Sequence, residues 1–385
     1  MVLIIGATGF IGTYATAYFC DKKDTVIATG RNEALGADLV ALGAQFISLD
    51  ITDKSDFSKL PTEDIDGVIV LAGRLPANAT ADLVSEDNAA EYFEVNVIGL
   101  INVLEWARTS GVKKVIATSS YADVAGAWGK GYPITEEEPR DFKLTGDHAV
   151  YVISKNAATD VMEYYNRQYG MQTIMFRLPP VYGYGPHGTI LVNGKPYKSA
   201  IQTFIERAQA GQDLEVWGDP ETSRDIIYVK DVVRAFDKAL DSDRAQGLYN
   251  MTSGTALTLR RQAEVVIDVF SPVQGEFLPE ESSGISSSDE TTTEESRAVT
   301  SSTGETPTDG AEAGVPHARS NIVYRPEKSN HTPSFLYSME KAFNDFGFEP
   351  QFRDFREMMI DYKAEMESGW LDQLAHSRTR LENDR

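Results

Sequence analysis

Cysteine is almost absent from the chain. Cys20 stands alone, which excludes intrachain disulfides and any cysteine-rich metal cage. Histidine is nearly as scarce. His148, His187, His317, His331 and His376 are scattered, with no pair one helical turn apart, so no metal is expected. Apolar runs are short, and none approaches the roughly 18 residues that cross a bilayer, so no membrane partner is expected. Positive charge is in deficit: 36 Lys and Arg against 58 Asp and Glu give a formal net charge of −22. A protein that grips nucleic acid needs a positive face, so nucleic acid is not an expected partner either. The N-terminus opens on Val2-Leu3-Ile4-Ile5 with neither a basic leader nor a cleavage site. Export is therefore not expected, and the expected location is cytoplasmic.

What remains is an ordinary globular composition, 42% hydrophobic and 24% charged over 385 residues, enough chain for one large domain or two smaller ones. Up to residue 178, short β-branched runs alternate with helical stretches, the pattern of an α/β fold with a parallel sheet covered by helices. Strands are expected at 2–5, 26–29, 45–48, 68–71, 114–118 and 173–177, with helices around 89–109 and 151–169. In the first of these helices Val95, Gly99, Leu100, Val103, Leu104 and Ala107 form an apolar stripe at helical spacing. A further strand is expected at 121–126.

After Pro179-Pro180 the texture turns to Gly, Pro and Tyr-rich loops. A smaller, discontinuous substrate-binding region is expected over 179–224 and 253–385, with 225–252 returning to the first domain. Within it, residues 278–314 lose nearly all apolar content and fill with Ser, Thr, Glu and Gly. Such a segment buries too little surface to offset its ordering entropy, and reads as a disordered acidic insertion.

Gly6-Ala7-Thr8-Gly9-Phe10-Ile11-Gly12 follows the first apolar strand at once and leads into a helix, the context a dinucleotide-binding turn requires. One glycine permits the tight turn, the next lets backbone approach a pyrophosphate, and the last lets helix pack on strand. N–H groups at the helix start then face the phosphates. The second strand ends in Gly30-Arg31-Asn32, without the acid that holds the adenosine ribose hydroxyls in NAD sites. An arginine there suits a 2′-phosphate, which places NADP ahead of NAD as the NAD(P) cofactor. The plainer reading of Arg31 is a solvated loop residue.

Tyr151-Val152-Ile153-Ser154-Lys155 sets a phenol and an ammonium four residues apart, on one helix face. A free tyrosine titrates too high to act as a base at neutral pH. A nearby ammonium and a positive nicotinamide ring both favour the phenolate. Tyr151 can then take a proton from an alcohol, or return one to a carbonyl, as hydride moves. Upstream, Thr118-Ser119-Ser120 stand at a strand's C-terminal end, where open α/β sheets bind ligands. Ser120, with Ser119 beside it, is the candidate to hydrogen-bond the reacting oxygen. Capping of the next turn is the alternative role for both.

Together these motifs resemble the extended short-chain dehydrogenase/reductase family, of the NAD-dependent epimerase/dehydratase type that includes UDP-galactose 4-epimerase. The resemblance spans residues 2–259 and 322–350, and several motifs stand in the family's order. Beyond the glycine turn and Tyr151–Lys155, they are Leu49-Asp50-Ile51-Thr52-Asp53, Leu71-Ala72-Gly73, Val95-Asn96-Val97, Thr118-Ser119-Ser120, Arg177-Leu178-Pro179-Pro180-Val181-Tyr182-Gly183 and Arg224-Asp225-Ile226-Ile227-Tyr228-Val229-Lys230-Asp231. It implies a Rossmann-type, doubly wound sheet. It also implies that Asp50 and Ile51 contact the adenine, and that Leu71, Ala72, Gly73, Thr118 and Pro179 line the cofactor. Asn96 supports the active-site helix, Lys155 also holds the nicotinamide ribose, and Arg224 binds the diphosphate of a nucleotide sugar. Arg224 as a fold-stabilising ion pair is the plainer alternative.

Two departures bear on function. The acidic pair that the family's dehydratases carry after the strand-end hydroxyl is missing, which disfavours dehydration. Pro180 stands where the sugar-nucleotide enzymes often have asparagine, at a substrate-facing position. The expected activity is a nucleotide-sugar epimerase, most closely a 4-epimerase, acting as a homodimer through the 89–109 and 151–169 helices. The runner-up is a net NADP-dependent reductase or dehydrogenase of a sugar or steroid-like carbonyl. A third reading is a cofactor-sensing protein without turnover, against which the intact Tyr151-Lys155 pair speaks. Fold alone does not choose among them.

Overall fold

The computed structural model describes residues 1–76, 89–146, 148–185, 189–192, 195–272, 319–328, 332–369 and 371. The stretch expected to be an acidic insertion, 278–314, lies outside the described residues.

Seven parallel strands form the main sheet: β1 (Val2–Ile5), β2 (Val26–Gly30), β3 (Gln45–Ser48), β4 (Gly67–Val70), β5 (Lys114–Ser120), β6 (Gln172–Leu178) and β13 (Gly247–Asn250). Their order is β13-β6-β5-β4-β1-β2-β3. Winding runs from β1 out to β3, then restarts on the other side of β1 at β4. The sheet is therefore doubly wound, with its switch point between β1 and β4, and the crevice for a ligand opens at the strands' carboxyl ends there.

Helices cover both faces, which is why the central strands read as unbroken apolar runs. Alternate residues feed two cores. Val2, Ile4, Ile69, Ile116 and Phe176 point into one, shared with α1 (Phe10–Asp21), α7 (Val229–Asp241) and α9 (Glu340–Phe346). Leu3, Ile5, Val68, Val70, Val115 and Ala117 point into the other, shared with α4 (Leu100–Thr109) and α5 (Ala149–Tyr169). Helix α2 (Glu33–Ala41) links β2 to β3 and is capped by Asn32, whose side chain accepts the Leu35 N–H at 3.2 Å. The 89–109 helix is not continuous. Between α3 (Ala89–Phe93) and α4 lies a wide π turn, Glu94–Gly99, a device that often marks a functional position.

The expected strand at 121–126 is instead a 3-10 turn, Tyr121–Ala127. The reason is local. β5 runs on through Ser119 and Ser120, and the Ser120 hydroxyl then accepts the Ala122 N–H at 3.3 Å, closing a capped turn where a strand would continue.

A third core joins α6 (Ala200–Gln209), α8 (Leu259–Phe270) and α10 (Phe355–Ser368) through Ile205, Val265, Val266, Phe270, Met358 and Met359. Short strand pairs frame it. β7 (Val181–Tyr182) pairs with β12 (Ile227–Tyr228), β8 (Thr189–Val192) with β9 (Lys195–Lys198), β10 (Leu214–Trp217) with β15 (Ile322–Arg325), and β11 (Ser223–Arg224) with β14 (Leu257–Thr258). Beyond α8, the Ser320 N–H donates to the Ser271 hydroxyl at 2.9 Å, so the chain returns to where it left.

Candidate active site

The glycine turn sits at the switch point, and each glycine has a distinct steric reason. Gly6 takes φ +83°, and a Cβ there would lie 2.4 Å from the Ala72 nitrogen, so side chains are barred twice over. A Cβ on Gly12 would meet the Gly6 carbonyl at 2.5 Å, the mark of close helix–strand packing. A Cβ on Gly9 would meet only the Gly6 oxygen, at 3.3 Å, and Gly9 is exposed. Backbone alone thus faces outward there. Helix α1 begins at Gly9 with no side-chain cap and no acid in its first turn, so its dipole is not spent on a carboxylate of its own. These residues fit the pyrophosphate of a dinucleotide. Thr8 packs against the end of β2, where a Cβ on Gly30 would fall 2.7 Å from its hydroxyl, while Phe10 and Ile11 are half-buried at the start of α1.

At the adenosine end, Arg31 is exposed. Among the described residues no carboxylate pairs with it. Asp50 is half-buried, and its carboxylate accepts the Thr52 N–H at 2.9 Å and the Thr52 hydroxyl at 2.7 Å. Ile51 is buried, and its backbone carbonyl accepts from Asn102 Nδ2 at 2.8 Å. Leu71 and Ala72 bend off β4 by donating both N–H groups to the Ile5 carbonyl, at 2.7 and 3.0 Å. Gly73 abuts Asn96, whose Oδ1 would lie 3.3 Å from a Cβ there.

Asn96 ties this loop to the helix that carries the Tyr-Lys pair. Its side chain accepts the Arg74 N–H at 2.7 Å and donates to the Arg74 carbonyl at 3.0 Å and to Ser154 Oγ at 2.9 Å. Ser154 in turn donates to the Tyr151 carbonyl at 2.8 Å. Tyr151 and Lys155 lie one turn apart on α5, which packs on β5 and on the Tyr121–Ala127 turn. The two serines diverge, as strand alternation requires. Ser119 Oγ accepts from Thr159 of α5 at 3.2 Å, and Ser120 caps the following turn. Thr118, between Ala117 and Ser119, is half-buried.

The charge state runs against one expectation. Burial pushes the Tyr151 phenol up, with the neighbouring Tyr121 and Tyr92 phenols adding to it. The lowering expected from the ammonium is not seen, and the same burial pushes Lys155 down to about 8. At neutral pH Lys155 is still mainly protonated and Tyr151 is a neutral phenol.

On the far side of the crevice, Pro179 is buried and the Pro180 carbonyl accepts the Ile227 N–H at 3.1 Å, which locks β7 to β12. Arg224 stands opposite Leu257 in the β11–β14 pair. Its charge opposes the upward push that burial exerts on Tyr121 and Tyr182, so it lies in electrostatic range of both phenols. Beneath it, Asp225 is fully buried and bonded by the Thr252 hydroxyl and the Tyr337 N–H. Burial lifts Asp225 to about 7. A buried ion pair, Arg177–Asp123 at 2.8 Å, fastens the Tyr121–Ala127 turn to β6.

Residues 2–252 match the NAD dependent epimerase/dehydratase family. The chain belongs to that family. It is accordingly an enzyme of an NAD-dependent class. Among relatives of this epimerase/dehydratase, a UDP-glucose 4-epimerase of Mycolicibacterium smegmatis is 29% identical over 72% of this chain and 85% of its own. A dTDP-4-dehydro-6-deoxy-D-allose reductase from a Streptomyces species is 28% identical over 63% and 73%. In three dimensions the chain is similar to UDP-glucose 4-epimerase of Thermotoga maritima, with a TM-score of 0.67 and 21% identity over 95% of this chain and 98% of that one.

Sequence reasoning about this epimerase/dehydratase missed several contributors. Asn102 was visible only as a polar residue among the apolar positions 95–107. Ser154 lay inside the Tyr-Lys motif without an assigned task. Tyr121 and Asp123 were hidden by the expectation of a strand.

Proposed function

We propose that the protein is an NAD(P)-dependent nucleotide-sugar epimerase of the 4-epimerase kind, with Tyr151 as the proton-transfer residue. The observation that carries this reading is the placement of Tyr151 and Lys155 one turn apart on α5. Asn96 and Ser154 join that helix to the loop after β4, beside the bare glycine turn. When bound, the dinucleotide supplies hydride exchange at its nicotinamide ring. Tyr151, held as a neutral phenol, is suited to hand a proton to a carbonyl oxygen. To take one from an alcohol it needs positive charge nearby, which Lys155 helps provide. Lys155 also holds the ribose, Ser120 or Ser119 bonds the reacting oxygen, and Pro180 shapes the sugar pocket. Arg224 binds the diphosphate through a charge-assisted fork. NADP ranks ahead of NAD because Arg31 is exposed and, among the described residues, has no acid paired to it. The chain works in the cytoplasm as a homodimer; exposed Phe93, Ile98, Ile153 and Tyr164 on the π turn and the helices flanking it support that assembly.

A second reading, a net NADP-dependent reductase of a keto-sugar, draws on Arg31 and on the similarity to the deoxy-allose reductase. The two are told apart by cofactor bookkeeping. The purified protein is supplied with UDP- and dTDP-hexoses, and with a dTDP-4-keto-6-deoxyhexose as the reductase substrate, each with and without added oxidised or reduced dinucleotide. Products are followed by NMR alongside nicotinamide absorbance. An epimerase interconverts hexoses with no net change in absorbance. A reductase consumes reduced cofactor in step with product. No turnover of any such sugar under either condition would overturn both.

A further inference from the structure

Two aromatic side chains of the turn after β5, Tyr121 and Trp128, stack with one another and with Phe335 from far along the chain. Tyr121 and Trp128 have ring centroids 5.5 Å apart at 16°, Tyr121 and Phe335 5.6 Å at 29°, and Trp128 and Phe335 4.7 Å at 23°. These are offset-stacked geometries, each worth more than its buried area. Tyr337 closes the cluster from below. Its ring meets Phe335 edge-on, its hydroxyl donates to the Tyr121 carbonyl at 2.6 Å, and Trp128 Nε1 donates to that hydroxyl at 3.3 Å. The backbone is clamped as well. Gly129 N–H bonds the Ser334 carbonyl at 2.7 Å, and Ile134 N–H bonds the Leu336 carbonyl at 2.8 Å.

The location of Tyr121 gives this stack a use. Tyr121 directly follows Ser120 and begins the turn that packs on the Tyr151 helix. At the stack's other end the Phe335 N–H bonds the Ser223 carbonyl at 3.2 Å, next to Arg224. Tyr121 is thus set between the proton-transfer end of the crevice and the candidate diphosphate arginine, and it is half-buried where Phe335 behind it is 5% exposed. In a nucleotide sugar, the group between the reacting carbon and the diphosphate is the sugar ring itself. One face of a pyranose presents mainly C–H groups, which suit the electron-rich face of an aromatic ring.

We propose that Tyr121, backed by Trp128 and Phe335, is the platform on which the reacting sugar ring stacks. It selects hexopyranoses whose facing side carries C–H groups rather than bulky or charged substituents. The assignment rests on the nucleotide-sugar reading above and deepens it. Because the rings are already fixed by their neighbours, little ordering is lost when the sugar lands.

The test separates sugar from nucleotide. Full-length wild-type, Tyr121→Phe and Tyr121→Ala proteins, each saturated with dinucleotide, are titrated calorimetrically with UDP and with UDP-glucose, and with the dTDP pair. Tyr121→Phe should keep wild-type affinity for all four probes within about twofold. Tyr121→Ala should weaken the glucose conjugates about tenfold and leave UDP and dTDP within about twofold. Trp128→Leu, which loosens the stack without touching Tyr121, should act in the same direction more weakly, and stands in if Tyr121→Ala fails to fold. Equal weakening of the diphosphates and their glucose conjugates would mark a merely structural role and overturn the platform. So would unchanged affinity for the conjugates in both truncated variants. If wild-type protein retains dinucleotide but binds none of the four probes, the nucleotide-sugar reading falls, and the platform falls with it.

Discussion

Replacing Lys155 with methionine should make the cofactor-free protein more stable and inactive at once. Burial is the sole cause that moves Lys155 from 10.5 to about 8. Holding the ammonium charged in that place therefore costs the fold about 3 kcal/mol at neutral pH, at roughly 1.4 kcal/mol per unit. Methionine matches the length of the stem and carries no charge, so Lys155→Met should recover roughly 1–3 kcal/mol of it. By the usual scaling for a chain of this size, that is a rise of several degrees in Tm. The pH dependence carries the sign. Below about 8 the lysine is protonated in both folded and unfolded chains, and the full cost applies. Between about 8 and 10.5 the folded protein binds fewer protons than the unfolded one, so wild-type stability rises relative to the variant. Above that window the difference should vanish. Paired thermal melts of wild type and Lys155→Met, from pH 7 to 10.5 without dinucleotide, read this directly. A variant less stable than wild type at pH 7, or a difference that does not change with pH, would refute the claim that Lys155 is held at an energetic cost. Added dinucleotide should reverse the ranking, since mass action stabilises the protein that binds it better.

Tyr151→Phe should bind dinucleotide normally yet lose turnover by at least about a hundredfold, the scale of a general acid or base; near-normal turnover would remove Tyr151 from the chemistry. Arg31→Asp should weaken NADP and spare or improve NAD in equilibrium titrations, by exchanging attraction to a 2′-phosphate for repulsion. Equal dissociation constants for both cofactors in the wild type would dismiss Arg31. Arg224→Met should weaken UDP by roughly 1.5–3 kcal/mol, the value of a hydrogen bond to a charged group; unchanged UDP affinity would leave Arg224 to the fold. Excising residues 280–314 and closing the gap with a short Gly-Ser linker should leave Tm within a few degrees. The flanks already meet through Ser271 and Ser320, and a cooperative loss of structure would show otherwise.

Much of the doubly wound sheet could be read from local pattern alone. A buried parallel strand must be apolar on both faces, so β1, β2 and β4 announce themselves as short unbroken runs. The glycine turn is equally local. Gly12 is dictated by backbone contacts with Gly6 and Ala7, within one turn and one helix, and Gly6 by its positive φ, with Leu71 and Ala72 as its distant neighbours. The Tyr151–Lys155 pair follows from helical spacing. Beyond a few residues of separation, pattern carries no such information. Which face Ser119 or Ser120 presents depended on where β5 ends, and that was decided by Ser120 capping its own turn. Whether Tyr151 is driven toward phenolate or phenol depended on how deeply α5 is buried against Tyr92 and Tyr121. The stack of Tyr121, Trp128 and Phe335 joins positions more than two hundred residues apart in the chain. Such contacts leave no periodic trace, because desolvation and long-range packing act through space while composition and spacing act along the chain.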